Sequence, residues 1–428
     1  MLSIEENGLL TRTGPGTPMG SLMRQYWLPA VRTDELPEPD CPPVRIRLLS
    51  ENLIAFRTSS GKVGLIGNHC PHRGASLFYG RNEEDGLRCV YHGWKYDITG
   101  QCVDMPSEPP ESTFKSKVKA TAYPCEERGG IVWTYMGPRE TPPPLPDLES
   151  NMVAANVVTQ QIECNWVQAM ENNMDTSHGN FLHLGAVDFN NGSALADAFL
   201  KDQTFKYMIS QEPLTFLLFD TETGASYAAQ RPAEKDTYYY RIMNYHFPSY
   251  TQSPTNKIET ACDYTAEVPI DDTHTMQWIM TSPDPRKPSG GHGRTLPNTT
   301  EWLGRFRPEV NSANDMEIDR HVQRYDRTLD GYTGIQGIEN QDRGITESQG
   351  DIQDRSTEHL GSTDAMVIKV RRLLISAAKA LDEEGTVPPG VDRPEAYRRR
   401  SGTIVLPKEV DVWEATKVLR EAFKGVVV

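Results

Sequence analysis

The chain has 428 residues, enough for two or three domains at about 150 residues each. Hydrophobic residues make up 37% and charged residues 24%, a balance that supports a packed core and excludes global disorder. A formal net charge of −15 repels phosphate backbones and anionic lipid, so neither nucleic acid nor a membrane is an expected partner. No stretch reaches the roughly 18 apolar residues needed to span a bilayer. The opening MLSIEENGLLTRTG carries acidic residues where a secretory signal would be apolar. Seven scattered cysteines, an odd number, make no disulfide framework, and the expected compartment is the cytoplasm.

Residues 15–29 predict a short helix ending in the pair Tyr26-Trp27, with Pro29 marking its exit. From residue 43 the pattern turns to short β-rich runs: VRIRLL, NLIAFRT, KVGLIG, LRCVYHGWKYD and GIVWTYM, with SSGK and ITGQ as turns. These predict a small β module with its core at about 43–136, inside a first domain of residues 1–140. Residues 137–149, GPRETPPPLPDLE, hold five prolines and predict a stiff connection between domains, the alternative being an ordered surface crossing within one domain. In the second domain, 141–428, NWVQAMENNMDTSHGNFLH reads as helical, and TFLLFD, SYAAQR, TYYYRIMNYHF, ETACDYTAEV and TMQWIMT read as strands. The run 285–300, PRKPSGGHGRTLPNTT, predicts a mobile surface loop. STDAMVIKVRRLLISAAKALDEE has apolar positions at helical spacing, and VDVWEATKVLREAFKG predicts a final helix. The expected fold class is α+β: a β-rich domain, then an antiparallel sheet flanked by helices.

Two pairs of metal-ligand residues lie in the β module. Cys70-Pro71-His72 and Cys89-Val90-Tyr91-His92 form C-x-H and C-x-x-H, which suit Zn²⁺ or an iron–sulfur pair. One Cys and one His on each loop let both thiolates hold one iron and both imidazoles the other. Gly74 and Gly93 let backbone N–H groups approach the sulfurs, and a zinc finger would normally place its histidines on a helix. CPHRGA and CVYHGW resemble the two binding loops of the Rieske [2Fe–2S] family. The cytochrome-complex branch of that family adds cysteines at the positions of Ala75 and Tyr91, so the chain resembles the oxygenase branch. Cys41, Cys102, Cys125, Cys164 and Cys262 have no ligand spacing, and His69 is left without a ligand role.

A second constellation, Asp175-x₂-His178-x₄-His183, offers two imidazoles and a carboxylate, the donor set with which non-haem Fe(II) activates O₂. On a regular helix residues five apart point about 140° away from each other, so a break near Gly179-Asn180 is required if both histidines hold one metal. Asp315, Asp319, Asp330, Asp342, Glu347, Asp351 and Asp354 are all candidates for a third ligand, and spacing does not choose among them.

The stretch 171–183 resembles the catalytic helix of Rieske non-haem iron oxygenases. That resemblance implies His178 and His183 as iron ligands. It also implies Asp175 as a bridge from His178 to His92 of a neighbouring subunit, hence a homotrimer or a multiple of one. The run TGIQGIENQDRGITESQGDIQDRSTEHLGSTD resembles the phthalate-dioxygenase-like branch, in which the Asp of a Gln-Asp pair binds iron. The pair occurs at 341–342 and at 353–354, and the first, ahead of ESQG, is the better match, which points to Asp342. The resemblance is strongest over 15–110, 160–185 and 330–365. It implies a catalytic α subunit with one [2Fe–2S] cluster and one mononuclear Fe(II), a β-rich Rieske domain and an α+β catalytic domain. No G-x-G-x-x-G fingerprint follows a strand, so an NAD(P)H-dependent reductase, directly or through a ferredoxin, must supply electrons. The expected reaction is ring hydroxylation of an aromatic acid by O₂. The alternatives are oxidative O-demethylation of a methoxylated aromatic acid and, in another class, an electron carrier or a structural zinc protein. A substrate carboxylate would want a cation nearby, for which Lys206, Arg231 and Arg241 are candidates.

Overall fold

The computed structural model describes residues 1–152, 156–183, 207, 210, 212, 214–254, 257–259, 263–281, 293–325 and 332–421. Two short helices open the chain. In α1 (Ile4–Thr11), Ser3 accepts from the Glu6 N–H while the Glu6 carboxylate accepts from the Ser3 N–H. In α2 (Pro18–Met23), Thr17 caps the first turn and Pro18 fills the position where no N–H is needed. The helix expected over 15–29 is thus only six residues long. Trp27 already starts strand β1 (Trp27–Arg32), where Pro29 sits inside the strand next to a bulge. Proline is tolerated there because β1 is an edge strand.

The rest of the first half is antiparallel. β2 (Val44–Leu48), β3 (Glu51–Arg57) and β4 (Val63–Gly67) form a meander. A second sheet is built from β5 (Arg81–Glu83), β6 (Gly86–Arg88), β7 (Lys95–Tyr96) and β8 (Cys102–Asp104) in sequence order. The run LRCVYHGWKYD is therefore not one strand: it divides into β6 and β7, and the residues from Cys89 to Trp94 form the loop between them. β9 (Ala122–Tyr123) closes on β4, and β10 (Cys125–Arg128) and β11 (Ile131–Tyr135) pair with β1 in the order β1-β11-β10.

The second half is organised by an eight-stranded antiparallel sheet. It contains β12 (Asn156–Ile162), β13 (Thr215–Thr221), β14 (Gly224–Pro232), β15 (Thr237–His246), β16 (Tyr250–Gln252), β17 (Tyr264–Pro269), β18 (Thr275–Thr281) and β19 (Gly402–Pro407). The order is β12-β18-β17-β16-β15-β14-β13, and β19 pairs with the first part of the long strand β15. The sequence reading missed β12, β16 and β19. Helices α3 (Trp166–Met174) and Ala365–Glu384 pack on this sheet, and helix Ile338–Glu347 packs on α3. The expected final helix is two four-residue turns, Val412–Ala415 and Lys417–Arg420, divided at Thr416. Residues 285–292 of the expected mobile loop, with Cys262, Lys206 and Asp330, lie outside the described residues.

One hydrophobic cluster joins the halves: Trp27, Leu28, Ile46, Trp133 and Tyr135 meet Trp166, Tyr227, Trp278 and Leu374. The proline-rich crossing is packed against it. It holds no helix or strand, but Leu145 and Leu148 are buried in the cluster and Trp27 Nε1 donates to the Pro143 carbonyl at 2.7 Å. Arg47 on β2 pairs with Asp271 in the β17–β18 turn at 3.0 Å. A second, smaller cluster lies wholly in the first half around Cys70, Cys89, Trp94 and Tyr96.

Candidate metal centres

The first centre is made by two loops of the same design. In one, Cys70 N donates to the Ala75 carbonyl at 2.8 Å and Gly74 N to the Cys70 carbonyl at 2.9 Å. In the other, Cys89 N donates to the Trp94 carbonyl at 2.8 Å and Gly93 N to the Cys89 carbonyl at 2.9 Å. Gly74 and Gly93 have φ of 76° and 80°, the left-handed turn that only glycine enters without strain. At Gly93 a Cβ would also stand 2.5 Å from Pro106 Cγ. The loops bring His72 and His92 together, with ring centroids 4.5 Å apart. Trp94 also stacks on His72, with ring centroids 4.2 Å apart.

Both cysteines are buried, and the Tyr96 hydroxyl lies 3.2 Å from Cys70 Sγ. Burial, reinforced by the neighbouring Cys70, pushes the Cys89 thiol above its ordinary value, so a thiolate pair here requires a cation beside it. The His72 Nδ1 atom is buried and has no hydrogen-bond partner. An orphaned imidazole nitrogen on a loop pair that also carries two buried cysteines fits a metal cluster and is costly without one. His69 is turned away, its Nδ1 3.0 Å from the Gly74 carbonyl oxygen.

The second centre starts where α3 stops. The helix expected through residue 183 ends at Met174, because Asp175 is extended (φ −78°, ψ 123°). Its carboxylate accepts from Ser177 N and Ser177 Oγ, both at 2.6 Å, and caps a 3-10 turn over His178–Asn180. The break falls earlier than Gly179, but it does what the spacing required: the His178 and His183 rings come to 5.1 Å. Asp342, on helix Ile338–Glu347, places Oδ1 at 3.4 Å from His178 Nε2 and 3.1 Å from His183 Nε2. One ligand atom from each of the three lies within 4.8 Å of the others.

Each imidazole is held at its other nitrogen. Asp175 Oδ2 is 3.3 Å from His178 Nδ1, and Gln341 Oε1 is 2.8 Å from His183 Nδ1. Burial opposes a charge on His178, but the flanking Asp175 and Asp342 outweigh it and raise its pKa to about 9. Burial likewise works against the Asp342 carboxylate, and the two imidazoles nevertheless hold its pKa far below the ordinary range. The pocket is built to hold positive charge, which fits a divalent cation.

Behind this centre a web of buried side chains ties α3 to the sheet. Asn173 and Gln277 both donate to Glu267 Oε1 at 2.6 Å, Gln160 donates to Gln277, and Arg343 donates to Gln160. A cavity of about 90 Å³ lies among Gln160, Asn173, Gln277, Asp342 and Arg343. That is room for a few waters and too little for an aromatic acid, since ligand sites run to roughly 300 Å³ or more.

The other acidic candidates do other work. Asp319 caps the His321 and Val322 N–H groups, Asp354 accepts from Ser356 N, and Glu347 accepts from Glu163 N. Asp315 and Asp351 are exposed. Of the cationic candidates, Arg231 is fully buried with Nη1 donating to the Tyr207 carbonyl at 2.8 Å. Arg241 lies across from Ala229 on the sheet face that also carries Tyr227. Tyr227 donates to the Met174 carbonyl at 3.1 Å, so this face looks onto the end of α3, and Arg241 Nε is buried without a partner. Sequence reasoning missed Gln341 and Glu267. The pair Gln341-Asp342 was visible, but only its Asp was given a role.

The family described as Rieske [2Fe-2S] domain matches residues 26–123, and the one described as LigXa C-terminal domain like matches residues 134–425. The 3-chlorobenzoate-3,4-dioxygenase oxygenase subunit of Comamonas testosteroni is 42% identical over 97% of both chains. The phthalate 4,5-dioxygenase oxygenase subunit of Pseudomonas putida is 37% identical, over 89% of this chain and 87% of its own. Among solved structures, dicamba monooxygenase bound to dicamba superposes with a TM-score of 0.56 at 17% identity, over 85% of this chain and 99% of that one. A sequence match of that extent defines more than a fold. The chain belongs to the Rieske non-haem iron oxygenases, as a catalytic α subunit. It is an oxidoreductase that uses O₂, and it carries a [2Fe–2S] cluster and a mononuclear iron. Among the described residues no helix is long and apolar enough to cross a membrane.

Proposed function

We propose that this chain hydroxylates the ring of an aromatic acid, with electrons delivered by a separate NAD(P)H-dependent reductase, directly or through a ferredoxin. The observation that carries the reading is the meeting of His178, His183 and Asp342 in one pocket of a chain that also carries a Rieske-type loop pair. The division of labour follows residues 1–140 and 141–428. Cys70, Cys89, His72 and His92 hold the cluster; His178, His183 and Asp342 hold the mononuclear iron. When bound, that iron supplies the site of O₂ activation and the cluster supplies single electrons.

The protein's own residues do the rest. Asp175 orients His178 and caps its turn, and its side chain remains 28% exposed. His92 is partly exposed as well, beside Val90 and Tyr91, which are more than half exposed. Phe181 and Tyr332 are exposed apolar side chains on the other half. Two accessible ends of one relay, with exposed apolar groups on both halves of the chain, support a head-to-tail homotrimer in which Asp175 accepts a hydrogen bond from a neighbouring copy's His92. Arg241 is the group for the substrate carboxylate, because it shares the sheet face that looks onto residues 174–176. The two relatives named above, 42% and 37% identical to this chain, are named as dioxygenases of 3-chlorobenzoate and phthalate, which favours ring attack over demethylation.

The test is turnover with a surrogate reductase on a panel including 3-chlorobenzoate and phthalate, following diol and formaldehyde separately. Diol formation coupled to electron uptake is expected. Formaldehyde from a methoxylated acid with no diol from any acid would replace ring hydroxylation by O-demethylation. Electron uptake with no product from either class would leave only electron transfer.

A further inference from the structure

Asp342 and Gln341 are consecutive on a helix and so point about 100° apart. Between them they grip one imidazole at both nitrogens: Asp342 Oδ1 is 3.1 Å from His183 Nε2, and Gln341 Oε1 is 2.8 Å from His183 Nδ1. The amide is held in one orientation. Gln341 is fully buried, and its Nε2 donates to the Ile335 carbonyl at 2.8 Å. A flipped amide would set its oxygen against that carbonyl oxygen. With Oε1 fixed toward the ring, His183 Nδ1 must carry the proton, which leaves the Nε2 lone pair directed to the shared pocket.

His178 is oriented in the same way by a different chemical group. Its Nδ1 faces the Asp175 carboxylate, with Oδ2 at 3.3 Å. A carboxylate draws the Nδ1 proton toward itself and makes Nε2 the stronger donor, whereas a neutral amide only fixes the tautomer. We propose that Gln341 is the positioning residue for His183, and that its neutrality makes the two histidines unequal, with His178 the stronger donor to the metal. This rests on the reading of His178, His183 and Asp342 as an iron site. The inequality has a use. A second anionic brace would add negative charge to a pocket that already holds two carboxylates, and would make the iron a poorer Lewis acid.

The test uses the full chain with its cluster loaded, in Gln341→Leu and Gln341→Glu variants, titrated with Fe(II) alone. The readouts are the Fe(II) concentration at half occupancy and the EPR spectrum of the nitric oxide adduct, with visible cluster absorbance as the control for folding. Gln341→Leu should need about 10–100-fold more Fe(II) for half occupancy. Gln341→Glu, which trades the amide donor to the Ile335 carbonyl for an oxygen, should still bind Fe(II) and, at a pH where its carboxyl is ionised, give a changed EPR spectrum, because the two imidazoles then become alike. Gln341→Leu within twofold of the parent and spectrally unchanged would overturn the positioning role. If Gln341→Leu does not fold, Gln341→Glu alone decides, and parental affinity with a parental spectrum overturns the charge argument. A parent chain that takes up no iron beyond the cluster's two would instead end the iron-site reading, an outcome neither variant can imitate.

Discussion

The loops around Cys70 and Cys89 close on their own backbone. Each is complete within six residues, fixed by the same two main-chain hydrogen bonds and one left-handed glycine. The pocket of His178, His183 and Asp342 is closed by side chains from distant parts of the chain, with 158 positions separating His183 from Gln341. A loop that carries its own hydrogen bonds keeps its shape whatever lies outside it. A pocket braced by Asp175, Gln341 and the Asn173–Glu267–Gln277 web depends on the packing of the whole second half. Altering one centre should therefore leave the other intact, and the mononuclear centre should be sensitive to changes far from its ligands.

The largest effects test that independence. His92→Ala should abolish the cluster's visible absorbance and all turnover while mononuclear iron stays bound, because one cluster iron loses one of its two protein ligands. His178→Ala should do the reverse, losing the third iron and all activity with an unchanged cluster spectrum. Iron and acid-labile sulfide analysis of both variants reads the outcome. Loss of both metals from either variant would show that the centres are not separately built.

A smaller effect is expected at Asp175, which belongs to both descriptions. As a brace and relay, Asp175→Asn keeps the shape and loses the charge-assisted acceptor, so both metals should remain while turnover falls about 10–100-fold or more. Slowed cluster reoxidation after rapid mixing with substrate and O₂ locates the loss in electron transfer. As a cap alone, Asp175 would contribute about 1 kcal/mol of stability and the variant would stay active. Smaller again is Arg241→Met, which removes one charge-assisted contact worth roughly 1.5–3 kcal/mol. It should lower kcat/KM for an aromatic acid about 10–100-fold, mostly through KM. An unchanged KM would move the carboxylate site elsewhere.

The same contrast decides what could be read from the sequence. CPHRGA and CVYHGW contain their own ligands, glycines and closing hydrogen bonds, so the motif and the structure are nearly the same object. The second centre was legible only in part. D-x₂-H-x₄-H announced a broken helix, but not that the break would fall at Asp175, because its carboxylate competes for Ser177 N in a way periodicity does not register. Asp342 was reached by resemblance, since spacing could not separate it from six other acids. Gln341 was passed over because a buried amide has no sequence signature apart from the group it faces. Strands β12, β16 and β19 were missed for a related reason. β12 and β19 acquire their partners only through β18 and β15, far along the chain, and β16 is three residues long.

Glu267 gives the sharpest test of dependence on distant packing. It is fully buried with neutral amides on Oε1 and no partner on Oε2. Burial raises its pKa from 4.5 to about 7. The folded state therefore favours the protonated acid. That contribution is fully present below about pH 4.5, is lost as pH rises through 7, and stays lost above it. A difference of this size is worth on the order of 3 kcal/mol as an upper figure. Gln at this position is neutral at every pH, so the stability of Glu267→Gln relative to the parent should rise between pH 5 and pH 8 by up to that amount. Denaturant midpoints for the two proteins at each pH measure it. Because the web touches neither cluster loop, the visible spectrum of the folded variant should match the parent at both pH values. A stability gap that does not change with pH would mean that Glu267 is ionised throughout, and that the amides around it already stabilise its charge.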